Sequence, residues 1–220
     1  MGSEPVILVH GLASSFDHGW RDTGWVDLLQ DAGRAVVRFD LPGHGQSTHP
    51  PESDPSDALR DALPDTPVDA VGFSAGAQTL LRLASVEPSR FNRLVLIGVG
   101  ENVFRQDDFS YLADAYEAGD AADPRWKVFV NLAVSAGNDP KAMATYLRTP
   151  KSRITDETLA GVKVPAHVII GDKDFAGPAD TLVAKLPDAS LTVLAGVDHF
   201  QAPRDFGCID AALRFLEVDG

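Results

Sequence analysis

Six short runs of apolar, mostly β-branched residues recur along this chain, and the stretches between them carry apolar residues at helical spacing. The runs are Val6–His10, Ala35–Asp40, Val68–Gly72, Leu94–Val99, Val164–Ile170 and Ser190–Leu194. Near-continuous apolar runs, rather than alternating ones, belong to strands buried on both faces. Strands that alternate with helices predict an α/β fold, a parallel sheet with helices on both faces. Helices are expected over Trp25–Asp31, Pro55–Ala62, Gln78–Glu87, Pro178–Leu186 and Phe206–Glu217. Asp54 with Pro55 supplies an N-cap and a first-turn proline, Gly177 with Pro178 reads the same way, and Gly33 stops the first helix.

One stretch breaks the alternation. Residues 101–163 show no strand pattern and read as short helices over Phe109–Ala118, Pro124–Ala136, Pro140–Leu147 and Asp156–Ala160. They hold seven of the seventeen aromatic residues. An insertion at the carboxyl end of a sheet reads as a helical lid over a site, with residues 1–100 and 164–220 as the core. Most of its aromatics are expected to pack the lid on the body, and one or two to line a pocket.

A length of 220 residues suits a single domain with a substantial core, and 44% hydrophobic with 23% charged residues is ordinary for a soluble protein. A net charge of −13 argues against nucleic acid or an anionic membrane as partner. No apolar run of about 18 residues is present to span a bilayer. The opening MGSEPVILVHG lacks a basic region before its first strand and does not read as a secretory signal. The lone Cys208 fits a reducing, cytoplasmic setting and reads as a core residue of the last helix. Oligomeric state carries no sequence signal.

Residues 68–76, VDAVGFSAG, place Gly-x-Ser-x-Gly where a buried strand gives way at once to the helical stretch AQTLLRLASVE. Ser74 then stands on a sharp strand-to-helix corner, above a helix N-terminus whose unpaired N–H groups can face a developing oxyanion. Gly72 and Gly76 are read as small because that turn brings backbone segments into contact. A similar run, AVSAG at 133–137, lacks the first glycine and follows a helical pattern, so Ser135 is set aside as a nucleophile.

Four pieces, VHGLASS (9–15), FDLPGHGQS (39–47), GFSAG (72–76) and the pair GDKD (171–174) with VDHF (197–200), resemble the α/β-hydrolase family, in that family's chain order. The resemblance covers nearly the whole chain apart from the lid. The family usually opens with an antiparallel hairpin. Only five residues precede the first strand here, so the hairpin is expected to be missing and the six-stranded sheet to be all parallel.

The resemblance implies a nucleophile, acid and base in the order Ser74, Asp174, His199. A serine hydroxyl needs a base to take its proton; imidazole titrates near neutrality and can return that proton to a leaving group. The carboxylate fixes the imidazole tautomer. The family's G-x-x-D pattern favours Asp174, with Glu101 and Asp172 as the other carboxylates. By the same resemblance the oxyanion donors are the backbone N–H groups of Leu12 and Ala75. His10 and His44 read as loop-holding residues, and Asp17, His18 or Trp20 as residues within reach of the pocket. Phe73, Trp126, Phe129, Phe175 and Phe200 complete the expected pocket lining.

Ser74, rather than an aspartate, excludes the alkyl-enzyme chemistry of dehalogenase and epoxide hydrolase relatives. The chain has no H-E-x-x-H, no paired C-x-x-C and no G-x-G-x-x-G after its first strand, so neither a metal nor a dinucleotide cofactor is implied. The expected reaction is hydrolysis of an ester or lactone of a small, mostly apolar molecule through an acyl-enzyme. Carbon–carbon cleavage of a vinylogous diketone, with Arg105, Arg125 or Lys127 meeting a substrate carboxylate, is the competing reading. Perhydrolysis as a side activity, and a receptor-like protein with slow turnover, complete the alternatives.

Overall fold

The computed structural model describes residues 4–105 and 108–217; the side chain of Arg125 lies outside the described set. The six strands are β1 (Val6–Val9), β2 (Val36–Arg38), β3 (Val68–Phe73), β4 (Phe91–Ile97), β5 (Ala166–Gly171) and β6 (Ala189–Leu194). They form one sheet in the order β2-β1-β3-β4-β5-β6, and every pairing is parallel. The chain winds from β1 outward to β2, then returns to place β3 on the other side of β1. That reversal leaves a crevice at the carboxyl ends of β1 and β3, where open α/β sheets hold their ligands.

The central strands are apolar on both faces because helices cover both. Ile7 and Val9 point into one core cluster, with Leu59 of α2 (Pro55–Ala62), Leu80 of α3 (Ala75–Val86) and Leu182 of α8 (Asp180–Lys185). Val6 and Leu8 point into the other, against Trp25 and Leu29 of α1 (Trp25–Asp31) and Cys208 and Ala212 of α9 (Phe206–Phe215). Burial pushes the Cys208 thiol up to about 12, as befits a core residue.

Between β4 and β5 run α4 (Ser110–Ala118), α5 (Pro124–Ser135), α6 (Pro140–Arg148) and α7 (Asp156–Gly161). The first three share an apolar cluster of their own, built on Leu112, Tyr116, Val130 and Met143, which also takes in Ala13 from the loop after β1. Leu159 of α7 instead enters the cluster beneath α3. Among the described residues no helix is long and apolar enough to cross a membrane.

Asp54 caps α2 as its sequence predicts, accepting from the N–H groups of Ser56 and Asp57. Gly33, at φ 77°, follows α1 in the left-handed region. Other boundaries move. The third helix begins at Ala75 instead of Gln78, because the corner turns directly into helix. Helix α8 begins at Asp180, two residues beyond Pro178. Gly177 and Pro178 serve a turn instead: the Pro178 carbonyl accepts from the Glu101 N–H at 3.0 Å. A π-helical turn over Asp17–Arg21 has no counterpart in the sequence expectation.

A buried ion pair lies at the end of the sheet opposite the crevice. Arg34 Nη2 donates to Asp69 Oδ2 at 2.5 Å, while its Nε donates to the Glu4 carbonyl at 2.8 Å and its Nη1 to the Leu216 carbonyl at 3.1 Å. One side chain thus ties the chain's two ends to β3.

Candidate active site

Ser74 occupies the corner between β3 and α3 with φ 52° and ψ −112°, a left-handed conformation that a non-glycine residue holds only under constraint. Its N–H donates to the Ile97 carbonyl at 2.8 Å and its carbonyl accepts from Gln78 at 3.0 Å. Both flanking glycines are required sterically. A Cβ on Gly76 would fall onto the Val9 and His10 carbonyls, and one on Gly72 would meet the backbone of Ala77 and the side chain of Leu80.

The loops after β5 and β6 bring two more groups to this corner. His199 Nε2 lies 3.0 Å from Ser74 Oγ, and its Nδ1 lies 2.8 Å from Asp174 Oδ1 and 2.9 Å from Oδ2. A carboxylate only accepts, so Nδ1 carries the proton and Nε2 presents its lone pair to the serine hydroxyl. The imidazole is buried, with the ring of Phe175 at 4.2 Å and that of Phe73 at 4.8 Å. The Ala176 N–H donates to Asp174 Oδ1 at 2.8 Å and fixes the carboxylate.

Among the described residues, neither other carboxylate bonds to His199. Glu101 faces Arg105 at 4.0 Å, and Asp172 accepts from the Gly196 N–H at 2.7 Å. The N–H groups of Leu12 and Ala75 have no acceptor among the described residues. Ala75 opens α3, so its free N–H is one of the donors every helix leaves unpaired at its start.

Side chains from three loops hold the Leu12 segment. His10 Nδ1 donates to the Gly11 carbonyl at 2.8 Å, and its Nε2 accepts from the Leu41 N–H at 3.1 Å. His44 Nε2 accepts from the Ala13 N–H at 3.1 Å while its Nδ1 donates to the Pro42 carbonyl at 2.9 Å. Burial pushes His44 down to about 3, so it serves as a neutral clasp. Burial alone would raise the Asp40 carboxyl. The neighbouring His10 ring, 3.3 Å away, and the hydrogen bonds that the carboxylate accepts from the N–H groups of Phe16 and Gln46 win, and hold it well below the usual carboxylate range. Asn138, at the turn between α5 and α6, donates to the carbonyls of Ala13 and Ser14 at 2.8 and 2.9 Å and accepts from the Gly45 N–H at 2.8 Å.

Ser74 and His199 open onto a cavity of about 340 Å³. Of the expected lining residues, His18, Trp20, Phe73, Phe129 and Phe200 border it, and so does Leu12. Trp126 and Phe175 are not among its walls: Trp126 packs on Phe129 at 6.2 Å between ring centroids, and Phe175 is 54% exposed over His199. The cations Arg105 and Lys127 are not there either. Arg105 donates to the Phe175 carbonyl, and Lys127 pairs with Asp120 at 3.1 Å. Arg125, the third, has its side chain outside the described set.

Sequence reasoning missed several walls. Val128, Asn131, Leu132 and Ser135 line the cavity from α5. Their spacing of three, four and seven residues is one helical face, a signal readable only once that face is known to look at the site. Arg204, in the short turn Ala202–Arg204 before α9, also borders it and carried no sequence signal.

Such a constellation is equipped for acyl transfer: a hydroxyl against an imidazole lone pair, a carboxylate behind the imidazole, and two unpaired N–H groups beside the corner. Among curated protein sequences none matches the chain. A bromoperoxidase from Bacillus anthracis superposes with a TM-score of 0.71 at 23% identity, over 98% of this chain and 92% of that one. An alpha/beta hydrolase enzyme from a Medee basin deep-sea metagenome library gives a TM-score of 0.77 at 17% identity, over 100% and 91%. A 2-hydroxy-6-oxo-6-phenylhexa-2,4-dienoate hydrolase from Rhodococcus gives 0.66 at 22%, over 97% and 90%. At these identities the likeness is one of fold. The family model for the alpha/beta hydrolase fold matches residues 4–154, well over half of the sequence. On that match, and on a sheet, corner and hydrogen-bonded chain of the corresponding kind, this protein belongs to the α/β-hydrolase family.

Proposed function

We propose that the protein is a serine hydrolase that cleaves an ester or lactone of a small molecule through an acyl-enzyme, with Ser74 as nucleophile. The observation that carries this reading is the continuous chain from Ser74 Oγ through His199 to Asp174, at 3.0 and 2.8 Å, on a strained corner bordering a cavity. In the proposed reaction His199 takes the hydroxyl proton as Oγ attacks the substrate carbonyl. Asp174 stabilises the imidazolium, and the N–H groups of Leu12 and Ala75 receive the oxyanion. His199 then gives its proton to the departing alkoxide, and water repeats the sequence on the acyl-enzyme. The helices at 101–163 act as the lid, with α5 as its pocket-facing wall.

Fluorophosphonate labelling with peptide mapping, run beside a panel of p-nitrophenyl esters, lactones and vinylogous diketones, tests the proposal. Ser74 is expected to carry the label, and Ser74→Ala to lower ester turnover by about 10⁴-fold or more. An unlabelled Ser74 would overturn the reading. Labelling with turnover confined to diketones would move the reaction to carbon–carbon cleavage, and labelling without any turnover would favour a ligand-binding role.

A further inference from the structure

We propose that Phe73 is a positioning residue: its ring is the spacer that sets the distance between the Leu12 oxyanion donor and the His199 imidazole. This rests on the serine-hydrolase reading and adds to it a residue that acts through its neighbours.

Phe73 ends β3, one residue before the corner. One edge of its ring faces the loop after β1. A Cβ on Gly11 would lie 2.8 Å from Phe73 Cδ1 and 3.0 Å from Cε1, closer than packed carbons approach, and the next atom is the Phe73 carbonyl oxygen at 3.5 Å. Gly11 precedes Leu12, so the ring abuts the backbone that carries the donor. The other edge faces the loop after β4. A Cβ on Gly98 would lie 2.8 Å from Phe73 Cε2, and 3.1 and 3.2 Å from His199 Cε1 and Nδ1. Phe73 and His199 thus rest on the same glycine, with their ring centroids 4.8 Å apart.

The hydrogen bonds of His10, His44 and Asn138 tie the Leu12 segment to the loop after β2 and the turn after α5. Phe73 links the same segment to the base. Acyl transfer needs donor and base set against one carbonyl at once, and a misplacement of about 1 Å can cost about 10²-fold in rate. A close-packed ring yields little, so two glycines that admit it at contact distance fix the separation of the groups beyond them. Phe73 also borders the cavity, and the test must tell a spacer from a wall.

A double-mutant cycle between positions 11 and 73 does so. Gly11→Ala drives a methyl group into the ring. Its kcat on p-nitrophenyl butyrate, per Ser74 titrated with fluorophosphonate, should fall by about 10²-fold with KM held within about threefold. Phe73→Ala should lower kcat by about tenfold, with Phe73→Leu between it and the wild type. Adding Gly11→Ala to Phe73→Ala should cost less than about threefold more, because the methyl group then enters space the ring has left. Inhibition by 1,1,1-trifluoro-2-butanone, whose hemiketal with Ser74 sets an oxyanion against Leu12 and Ala75, should weaken in step with kcat/KM. A packing residue alone would lower the urea midpoint and leave kcat per titrated site unchanged, and a pocket wall alone would move KM. Either result, or losses that multiply across the cycle, would overturn the spacer. Failure of Ser74 to take the label would instead overturn the nucleophile. The His199 Cε1–H resonance, assigned with His199→Gln, would then decide the spacer. Gly11→Ala should shift it when Phe73 is present and not in Phe73→Ala, and an equal shift in both backgrounds would refute the proposal.

Discussion

At position 74 the backbone bears a conformation that its side chain does not favour, and the surrounding contacts hold it there. A non-glycine residue in this region costs about 1–3 kcal/mol, partly offset in a glycine variant by a more flexible unfolded chain. Ser74→Gly should therefore be more stable than Ser74→Ala by about 1 kcal/mol, read from urea midpoints, while both lose turnover. Asp174→Asn leaves the loop in place but no longer fixes the Nδ1 proton, and kcat should fall by about 10³–10⁴-fold. His44 supplies a pH signature of the fold. Its neutral form is the one the native state keeps, so the unfolded chain binds the proton first as pH drops below 6.5. Stability should be complete above that value and be lost progressively down to about 3, and His44→Asn should flatten this part of the urea-midpoint profile. Ser74, His199 and the three candidate carboxylates were legible in the sequence because short local patterns carry them. The G-x-x-D resemblance already favoured Asp174 among the carboxylates; its contact with the Nδ1 side of His199 is a matter of which loop ends meet, and no local pattern carries that.

Elements were legible where their ends are chemically marked. The Asp54–Pro55 start of α2 is unambiguous because the cap is a local hydrogen bond. The Gly177–Pro178 pair offers the same first-turn proline for another purpose, a turn that meets the Glu101 N–H, but without a capping side chain of the kind Asp54 supplies. The pocket face of α5 was invisible for another reason. Val128, Asn131, Leu132 and Ser135 mix polar and apolar types, so they do not form the apolar stripe that betrays a core-facing side. Asn138 is the element-scale fastener. It joins the α5–α6 turn to the loops after β1 and β2 through three hydrogen bonds, all made by one buried amide. Asn138→Ala should lower stability by about 2–3 kcal/mol and loosen the Leu12 N–H, so kcat should fall with it. Asn138→Asp keeps the bond from Gly45 but sets a buried carboxylate against two carbonyl oxygens, and its urea midpoint should lie at or below that of Asn138→Ala.

Across the whole molecule the parallel order of the sheet sets the site's position, and that much followed from the alternation of strands with helices. The buried Arg34–Asp69 pair did not, because a charge inside an apolar strand reads as an interruption until its partner is seen. Breaking that pair strands a buried carboxylate, so Arg34→Ala should cost about 3–5 kcal/mol in a urea titration, with loss of turnover only through unfolding. The two flanks of the sheet differ. On one, β2 is three residues long and ends in Arg38, whose guanidinium is held by Asp17 at 2.8 Å. A short, charged strand offers little for another chain to pair with. On the other, β6 runs for six residues, partly exposed, with Val193 at 55%. Among the described residues no strand pairs with its outer edge, so crowded or partly unfolded copies of this protein that stick strand to strand will do so along β6, and a lysine at Val193 is the change that would keep them apart.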